Sequence, residues 1–368
     1  MPMKAIISGG GTGGHIFPAI AIAQELKRRN TATAILFVGA NGRMEMEKVP
    51  QAGFEIHGLD VAGWNRSSMV KNLGLPWKIT KAMIAGYKIL KSFKPTVVVG
   101  VGGYASAPML YLATWLKIPT LIQEQNSFAG KTNKILGKKV DKICVAYENM
   151  DKFFPKDKIV VTGNPVRKDL INLSSKKEEG IEFFKLSKEK RTVLIMGGSL
   201  GARSLNESIA SQTTFISNQR SIQWIWQYGK QGSAQYRDCA AAQLEQVKAV
   251  EFIDRADLAY AAADVILCRA GALTISEILI ANKPVILVPS PMVAEDHQTH
   301  NALALVNKNA AWILPDAEVI ASGAARVIEL LNDAQTINSM KLAQLGLART
   351  DAAQAIVDEI CKLNHQAA

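Results

Sequence analysis

Three stretches of this 368-residue chain use one device, a short apolar run ending in a glycine loop that passes into a helical pattern. They read I-I-S-G-G-G-T-G-G from Ile6, V-V-G-V-G-G-Y-A-S from Val98 and L-I-M-G-G-S-L-G-A from Leu194. A weaker fourth, I-L-C-R-A-G-A-L-T-I-S-E, starts at Ile266. A glycine loop between strand and helix presents backbone amides at a helix N-terminus, where an anion is favoured. Parallel sheets flanked by helices bind ligands at the carboxyl ends of their strands. The device occurs in both halves, so the expected fold class is α/β, with two Rossmann-like doubly wound parallel-sheet domains facing across a cleft.

Short runs rich in β-branched residues predict first-half strands at 4–8, 33–39, 54–59, 96–101, 120–123, 142–146 and 159–162. A polar stretch, 172–191, precedes a second series at 192–196, 222–228, 249–252, 264–268, 284–288 and 311–314. From about 317 to 363 the pattern is helical only. The chain is 48% hydrophobic and 20% charged, a globular composition. Its four cysteines form no C-x-x-C, which fits a reducing compartment and argues against structural zinc or a disulfide framework. The opening M-P-M-K-A-I-I-S is too short an apolar run for a signal peptide. Residues 96–116 carry no charge over a length that could span a bilayer, but Gly100, Gly102, Gly103, Ser106 and Pro108 divide them. Strand, turn and helix explain that stretch better than a membrane span.

Charge is unevenly placed. Residues 1–167 hold 23 Lys and Arg against 10 Asp and Glu, whereas 168–368 hold 20 against 22. The stretch 61–123 has eight basic residues and no acidic one. Such a balance points the first half toward a polyanion, either nucleic acid or an anionic membrane surface. Lys78, Lys81, Lys88 and Lys91 share a helix face, with Trp77, Ile79, Met83, Ile84, Tyr87 and Leu90 beside them and Trp115 later. That reads as an interfacial helix on anionic lipid, against the plainer reading of solvated lysines on an ordinary surface helix.

Gly9, Gly11 and Gly14 match the dinucleotide motif G-x-G-x-x-G. The second strand, however, ends F-V-G-A-N-G, without the acid that would hold a ribose. A loop for some other diphosphate, or a tight turn with no ligand, remains. His15 at the entry to the helix could serve as base or donor near an anion, or make a structural loop bond. Gly197-Gly198-Ser199-Leu200-Gly201 matches the nucleophile elbow G-x-S-x-G, with Asp264 and His297 or His300 to complete a triad. That hydrolase reading leaves the first half and two glycine loops without a role. Phosphate binding through the Ser199 hydroxyl accounts for more. Glu277 in the fourth loop can accept from two vicinal hydroxyls of a ribose, or merely complement a helix dipole. Glu295-Asp-His-Gln-Thr-His-Asn301 suits sugar hydroxyls, with metal binding as the rival. No Asp-x-Asp occurs, so loop amides and Arg167 could take a leaving diphosphate's charge.

In order along the chain stand G-G-T-G-G-H (10–15), G-V-G-G-Y (100–104), E-Q-N (124–126), G-N-P-V-R (163–167) and G-G-S-L-G-A (197–202). E-F-I-D (251–254), C-R-A-G-A-L-T-I-S-E (268–277) and D-H-Q-T-H-N-A (296–302) follow. Together they resemble the MurG family, the bacterial peptidoglycan N-acetylglucosaminyltransferases of glycosyltransferase family 28, over nearly the whole chain.

The resemblance implies a GT-B fold: an acceptor and membrane-facing domain, 1–167, with a returning helix at 349–368, and a donor-binding domain, 168–348. It implies inverting transfer of GlcNAc from UDP-GlcNAc to the muramyl C4 hydroxyl of lipid I, giving lipid II, with no cofactor and no metal. The alternative is another GT-B glycolipid glycosyltransferase. By position, Thr12, Gly13 and Gly14 stand at the donor–acceptor junction, and Asn126 and Arg167 line the cleft. Ser199 would bind UDP phosphates, the backbone at Ile253 the uracil, and Ala272, Leu273, Thr274, Ile275, Ser276 and Glu277 phosphate and ribose. Gln298 would bind the GlcNAc. Gly10, Gly11, Gly102, Gly103 and Tyr104 would hold the lipid diphosphate, and His15, then Glu124, are the candidate bases. Gln123 departs from the histidine found before E-Q-N in many relatives. Trp77, Lys78, Lys81, Ile84, Lys88 and Trp115 would meet the anionic inner membrane from its cytoplasmic side. Nucleic acid is not an expected partner, because it would explain the charge but not the sugar-type polar cluster.

Overall fold

The computed structural model describes residues 3–61, 75–171 and 173–366. Arg66 and Lys71 of the acid-free stretch and Asn172 of the polar stretch lie outside the described residues. The chain divides into two compact units, residues 1–166 with 351–368, and residues 167–350.

The first unit carries a seven-stranded parallel sheet in the order β3-β2-β1-β4-β5-β6-β7. Its strands are β1 (Lys4–Ser8), β2 (Ala34–Ala40), β3 (Glu55–Leu59), β4 (Val97–Gly100), β5 (Thr120–Glu124), β6 (Lys142–Val145) and β7 (Ile159–Val161). The strand order reverses between β1 and β4, paired in register from Ala5–Val97 to Ser8–Gly100. Both strands are fully buried near their centres, at Ile6, Ile7, Val98 and Val99, as strands covered on two faces must be. The last helix, Ala352–Gln366, seals one face: Ile356, Val357 and Ile360 pack with Ile16 and Ile22 of the helix Gly13–Arg29. Arg29 ties the two helices at their surface through Asp358, at 2.5 Å, and the carbonyl of Gln354.

The second unit carries a six-stranded parallel sheet, β10-β9-β8-β11-β12-β13. These strands are β8 (Arg191–Met196), β9 (Ile222–Gln227), β10 (Val247–Val250), β11 (Val265–Arg269), β12 (Val285–Val288) and β13 (Trp312–Ile313). Trp224 and Trp226, both fully buried, anchor its core. Strand β10 begins and ends two residues earlier than its apolar run implies. Pairing with Trp224–Gln227 sets its register, and this leaves Phe252 and Ile253 in the loop beyond its end. The polar stretch 172–191 includes a short helix, Lys177–Phe183, whose Ile181 is buried.

Residues 96–116 divide into β4, a glycine turn and the helix Ser106–Trp115. No described helix is long and apolar enough to cross a membrane.

Candidate functional site

All four glycine loops lie at carboxyl ends of the two strands that flank a reversal: β1 and β4 in the first unit, β8 and β11 in the second. This is where open parallel sheets bind ligands.

In the first unit the two loops interlock. The Gly10 N–H donates to the Gly102 carbonyl at 3.3 Å, and a Cβ on Gly103 would lie 2.3 Å from the Gly10 oxygen. Not every amide in the expected diphosphate loop faces outward. Gly9 N–H donates to Val38, Gly10 to Gly102, and Gly11 to the carboxylate of Glu45 at 2.9 Å. The N–H groups of Thr12, Gly13 and Gly14 make no backbone bond into the protein among the described residues, and they stand at the start of the helix Gly13–Arg29. The Gly10 and Gly11 amides, expected to face a diphosphate, thus already have acceptors within the chain, whereas those of Thr12, Gly13 and Gly14 have no backbone acceptor among the described residues. Tyr104, which follows Gly103 in the second loop, is 60% exposed.

His15 sits against the first loop. Its Nδ1 is 3.0 Å from the Gly10 carbonyl oxygen and 3.3 Å from Thr12 Oγ1. A carbonyl only accepts, so Nδ1 carries the hydrogen and Nε2 is the unprotonated nitrogen of the neutral ring. Gly102, at φ +92°, makes room for it: a Cβ there would lie 2.9 Å from Nε2.

Glu124, the second candidate base, is engaged by the loop that follows it. It is 2% exposed. One oxygen accepts from the Asn126 N–H at 3.0 Å and from Asn126 Nδ2, the other from the Gly130 N–H at 3.1 Å and Asn133 Nδ2 at 2.8 Å. A carboxylate holding four donors has its lone pairs committed, and it pins the loop after β5 with Asn126 in place. Gln123 is also buried, donating to Asn164 Oδ1 at 2.9 Å and accepting from Gln125.

In the second unit the Ser199 loop is braced from beneath. The Gly201 N–H donates to Gly198, Lys230 N–H to Ser199 and Gln231 N–H to Leu200, while Gln227 Nε2 reaches Gly198. Gly201 and Gly229, at φ +86° and +78°, lie back to back; a Cβ on Gly229 would lie 2.0 Å from Gly201 N. The Ser199 side chain is exposed above them. The expected triad acid does not reach it. Asp264 precedes β11 and accepts from the Thr192 N–H at 2.7 Å and from Lys177, at the amino end of the sheet. Ser199 follows the carboxyl end of β8, about 16 Å away at roughly 3.3 Å per strand residue. The serine-hydrolase alternative thus lacks its acid.

The fourth loop opens the helix Ala272–Ala281 with Gly271 at its N-cap. Ile275 is 1% exposed and packs inward, and the Ser276 hydroxyl donates to Ala272. The first-turn amides of Ala272, Leu273 and Thr274 have no intrahelical acceptor and stand at the positive end of this helix. Glu277 Oε2 accepts from the buried Tyr260 hydroxyl at 2.9 Å, and Oε1 lies 3.7 Å from Arg167 Nε. Burial raises the Glu277 pKa, Arg167 and the Tyr260 bond oppose the rise, and the charge of Asp169 adds to it. Gln298 Oε1 accepts from the Ser290 N–H at 2.9 Å, linking the loop after β12 to the helix His297–Val306. That helix is entered through two left-handed residues, Glu295 at φ 57° and Asp296 at φ 48°. Such non-glycine residues cost of order 1–3 kcal/mol each and gather at ligand sites. A cavity of about 440 Å³ opens beside Ile253, walled by Phe183, Phe184, Val250 and Phe252.

Sequence reasoning missed Tyr260, Asn133 and Glu45. Tyr260 is a lone aromatic in an alanine-rich run, and its polar tip was the available signal. Arg269 was also missed. It accounts for the anchoring of the fourth loop, with Nη1 on Asp316 at 2.5 Å and Nη2 on Ser204 at 2.9 Å.

On the surface helix Leu75–Phe93, Lys78, Lys81, Lys88 and Lys91 are all exposed, as are Trp77 and Ile84. Lys81 Nζ lies 5.4 Å over the Trp77 ring and Lys91 Nζ 5.6 Å over Tyr87, which itself meets Trp115. Ala82, Gly86 and Leu90 form the opposite, buried face.

Residues 5–145 match the glycosyltransferase family 28 N-terminal domain, and residues 192–356 its C-terminal domain. The chain is 50% identical over 360 residues to a UDP-N-acetylglucosamine--N-acetylmuramyl-(pentapeptide) pyrophosphoryl-undecaprenol N-acetylglucosamine transferase of Flavobacterium psychrophilum, covering 98% of this chain and 97% of the relative. The correspondingly named protein of Phocaeicola vulgatus is 50% identical over 363 residues, covering 98% and 96%. Among solved structures, MurG of Acinetobacter baumannii superposes with a TM-score of 0.76 at 30% identity, over 98% of this chain and all of that one. A UDP-GlcNAc 2-epimerase from Neisseria meningitidis, at 14% identity and a TM-score of 0.68, shares the fold alone. With both family domains matched in order and half of all residues shared over its length, the chain belongs to glycosyltransferase family 28, with the GT-B fold of MurG.

Proposed function

We propose that this protein transfers N-acetylglucosamine from UDP-GlcNAc to the C4 hydroxyl of the muramyl sugar of lipid I, forming lipid II for peptidoglycan, with inversion at the anomeric carbon. The observation that carries this reading is the 50% identity, over 98% of the chain, to proteins named for that transfer. The acceptor oxygen attacks the anomeric carbon, its bond to UDP breaks, and the hydroxyl proton passes to a base. His15, whose tautomer puts the lone pair on Nε2, supports that role better than Glu124.

For the donor, the Tyr260- and Arg167-braced carboxylate of Glu277 suits the ribose hydroxyls, and the Ala272–Thr274 amides and Ser199 suit the phosphates. Gln298 suits the GlcNAc. The cavity walled by phenylalanines suits a planar base held by the backbone at Ile253. For the acceptor, the amides of Thr12, Gly13 and Gly14, with Gly102, Gly103 and Tyr104 alongside, suit the lipid diphosphate. The lysine- and tryptophan-bearing helix suits an anionic membrane surface, so the enzyme works peripherally on the cytoplasmic side of the inner membrane.

The test is transfer of labelled GlcNAc to a lipid I analogue in EDTA. Product formation is expected. Folded protein that forms none, or that releases GlcNAc only to water, refutes the reading. Fluorophosphonate treatment is expected to leave Ser199 unlabelled.

A further inference from the structure

The acid that a dinucleotide site carries at the end of its second strand is missing from F-V-G-A-N-G, yet a carboxylate reaches that place from the next helix. Glu45 opens the helix Glu45–Gln51 and is 1% exposed. Its Oε2 accepts the Gly11 N–H at 2.9 Å and its Oε1 the Ala40 N–H at 3.0 Å. Two glycines make its seat. A Cβ on Gly10 would lie 2.1 Å from Oε1, and one on Gly39 would lie 2.6 Å from Cγ. No ion pair to Glu45 is formed among the described residues, so backbone amides hold this carboxylate.

Gly11 is the central glycine of G-x-G-x-x-G, the position that lets backbone approach a pyrophosphate. Here its N–H already has an anionic acceptor supplied by the chain. A phosphate at the same amide would have to displace a buried carboxylate and meet its charge.

We propose that Glu45 is a built-in anion of the first glycine loop, filling the phosphate position at Gly11 and closing the crevice between β1 and β2 to nucleotides. It is a positioning residue. By taking Gly11 inward it leaves Thr12, Gly13 and Gly14 as the amides turned to an incoming anion, a last step that rests on the acceptor reading above. A mere staple between β2 and the loop would need the hydrogen bonds but no exchangeable anion.

The experiment compares wild type, Glu45→Ala and Glu45→Gln by thermal melts in sodium acetate and in sodium chloride at equal ionic strength. Glu45→Ala should melt lower, and acetate should restore at least half of the loss where chloride does not. Glu45→Gln, whose amide fills the space and turns a donor toward one N–H, should gain nothing from acetate. Equal effects of acetate and chloride on Glu45→Ala overturn the proposal. Should that variant fail to fold, wild-type protein labelled with ¹⁵N decides the matter under titration with inorganic pyrophosphate. The Gly13 and Gly14 amide resonances should shift while Gly11 stays put and protected from exchange. A Gly11 shift as large as theirs overturns the proposal. Shifts at none of Thr12–Gly14, with the Gly11 amide still protected from exchange, would refute the acceptor reading and leave the built-in anion standing.

Discussion

The Tyr260 hydroxyl donates to Glu277 Oε2 at 2.9 Å, holding that carboxylate from the neighbouring helix. A hydrogen bond to a charged group is worth about 1.5–3 kcal/mol. Tyr260→Phe is therefore expected to weaken UDP binding about tenfold while changing kcat far less. Isothermal titration with UDP, alongside steady-state kinetics, measures this; unchanged affinity would show that Tyr260 only fills space.

Glu277 also sets a pH dependence. Burial raises its pKa in the folded protein, so between the ordinary carboxylate range and that higher value the unfolded chain loses a proton that the native state retains. Its contribution to stability is thus present at low pH and lost as pH rises through the folded pKa. Glu277→Gln should remove that slope, raising the melting temperature of ligand-free protein relative to wild type above the window while abolishing tight UDP binding. A pH-independent difference between the two melting curves would contradict the assignment.

Gly102 is the floor for the His15 ring. A methyl group at φ +92°, 2.9 Å from Nε2, must displace the ring or the loop. Gly102→Ala is expected to lower kcat by the roughly 10²–10⁴-fold typical of a lost general base, matching His15→Ala, with little change in UDP affinity. The double variant should be no slower than either single one; additive losses would separate the two residues.

Lys78, Lys81, Lys88 and Lys91 stand exposed on the helix that also exposes Trp77 and Ile84. Each lysine near an anionic surface contributes about 1 kcal/mol, so changing all four to Glu should abolish sedimentation with anionic vesicles. Transfer to a short-chain soluble acceptor should persist. Vesicle binding that survives the change would mark these lysines as solvated.

Gly201 and Gly229 hold the Ser199 loop by backbone contact. Gly229→Ala adds a left-handed penalty of about 1 kcal/mol and overpacking of about 1–3 kcal/mol. Chemical denaturation should register a loss of that order, with a higher KM for UDP-GlcNAc.

The periodic β-branched runs and glycine punctuation made the architecture legible: each of the thirteen expected strands overlaps an observed one. Boundaries slipped where pairing overrode local pattern, as at β10. The layout of the candidate site was legible in part, because glycine loops and first-turn carboxylates announce themselves by spacing along one strand–loop–helix unit. The G-x-S-x-G match alone could not exclude a nucleophile, because a motif carries no information about which end of the sheet its partners occupy. Asp264 was at the wrong end.

What the sequence determined by itself is therefore local: which segments are strands, where glycines permit left-handed turns, and which face of the basic helix stays polar. These follow from backbone sterics and side-chain periodicity within a few residues. Tertiary structure alone decided which polar atoms are already satisfied. The Glu124 carboxylate is engaged by Asn126, Gly130 and Asn133, Gly11 is taken by Glu45, and Glu277 is steadied by Tyr260. A buried polar group must find its partner wherever the fold brings one, and that partner's distance along the chain is unconstrained.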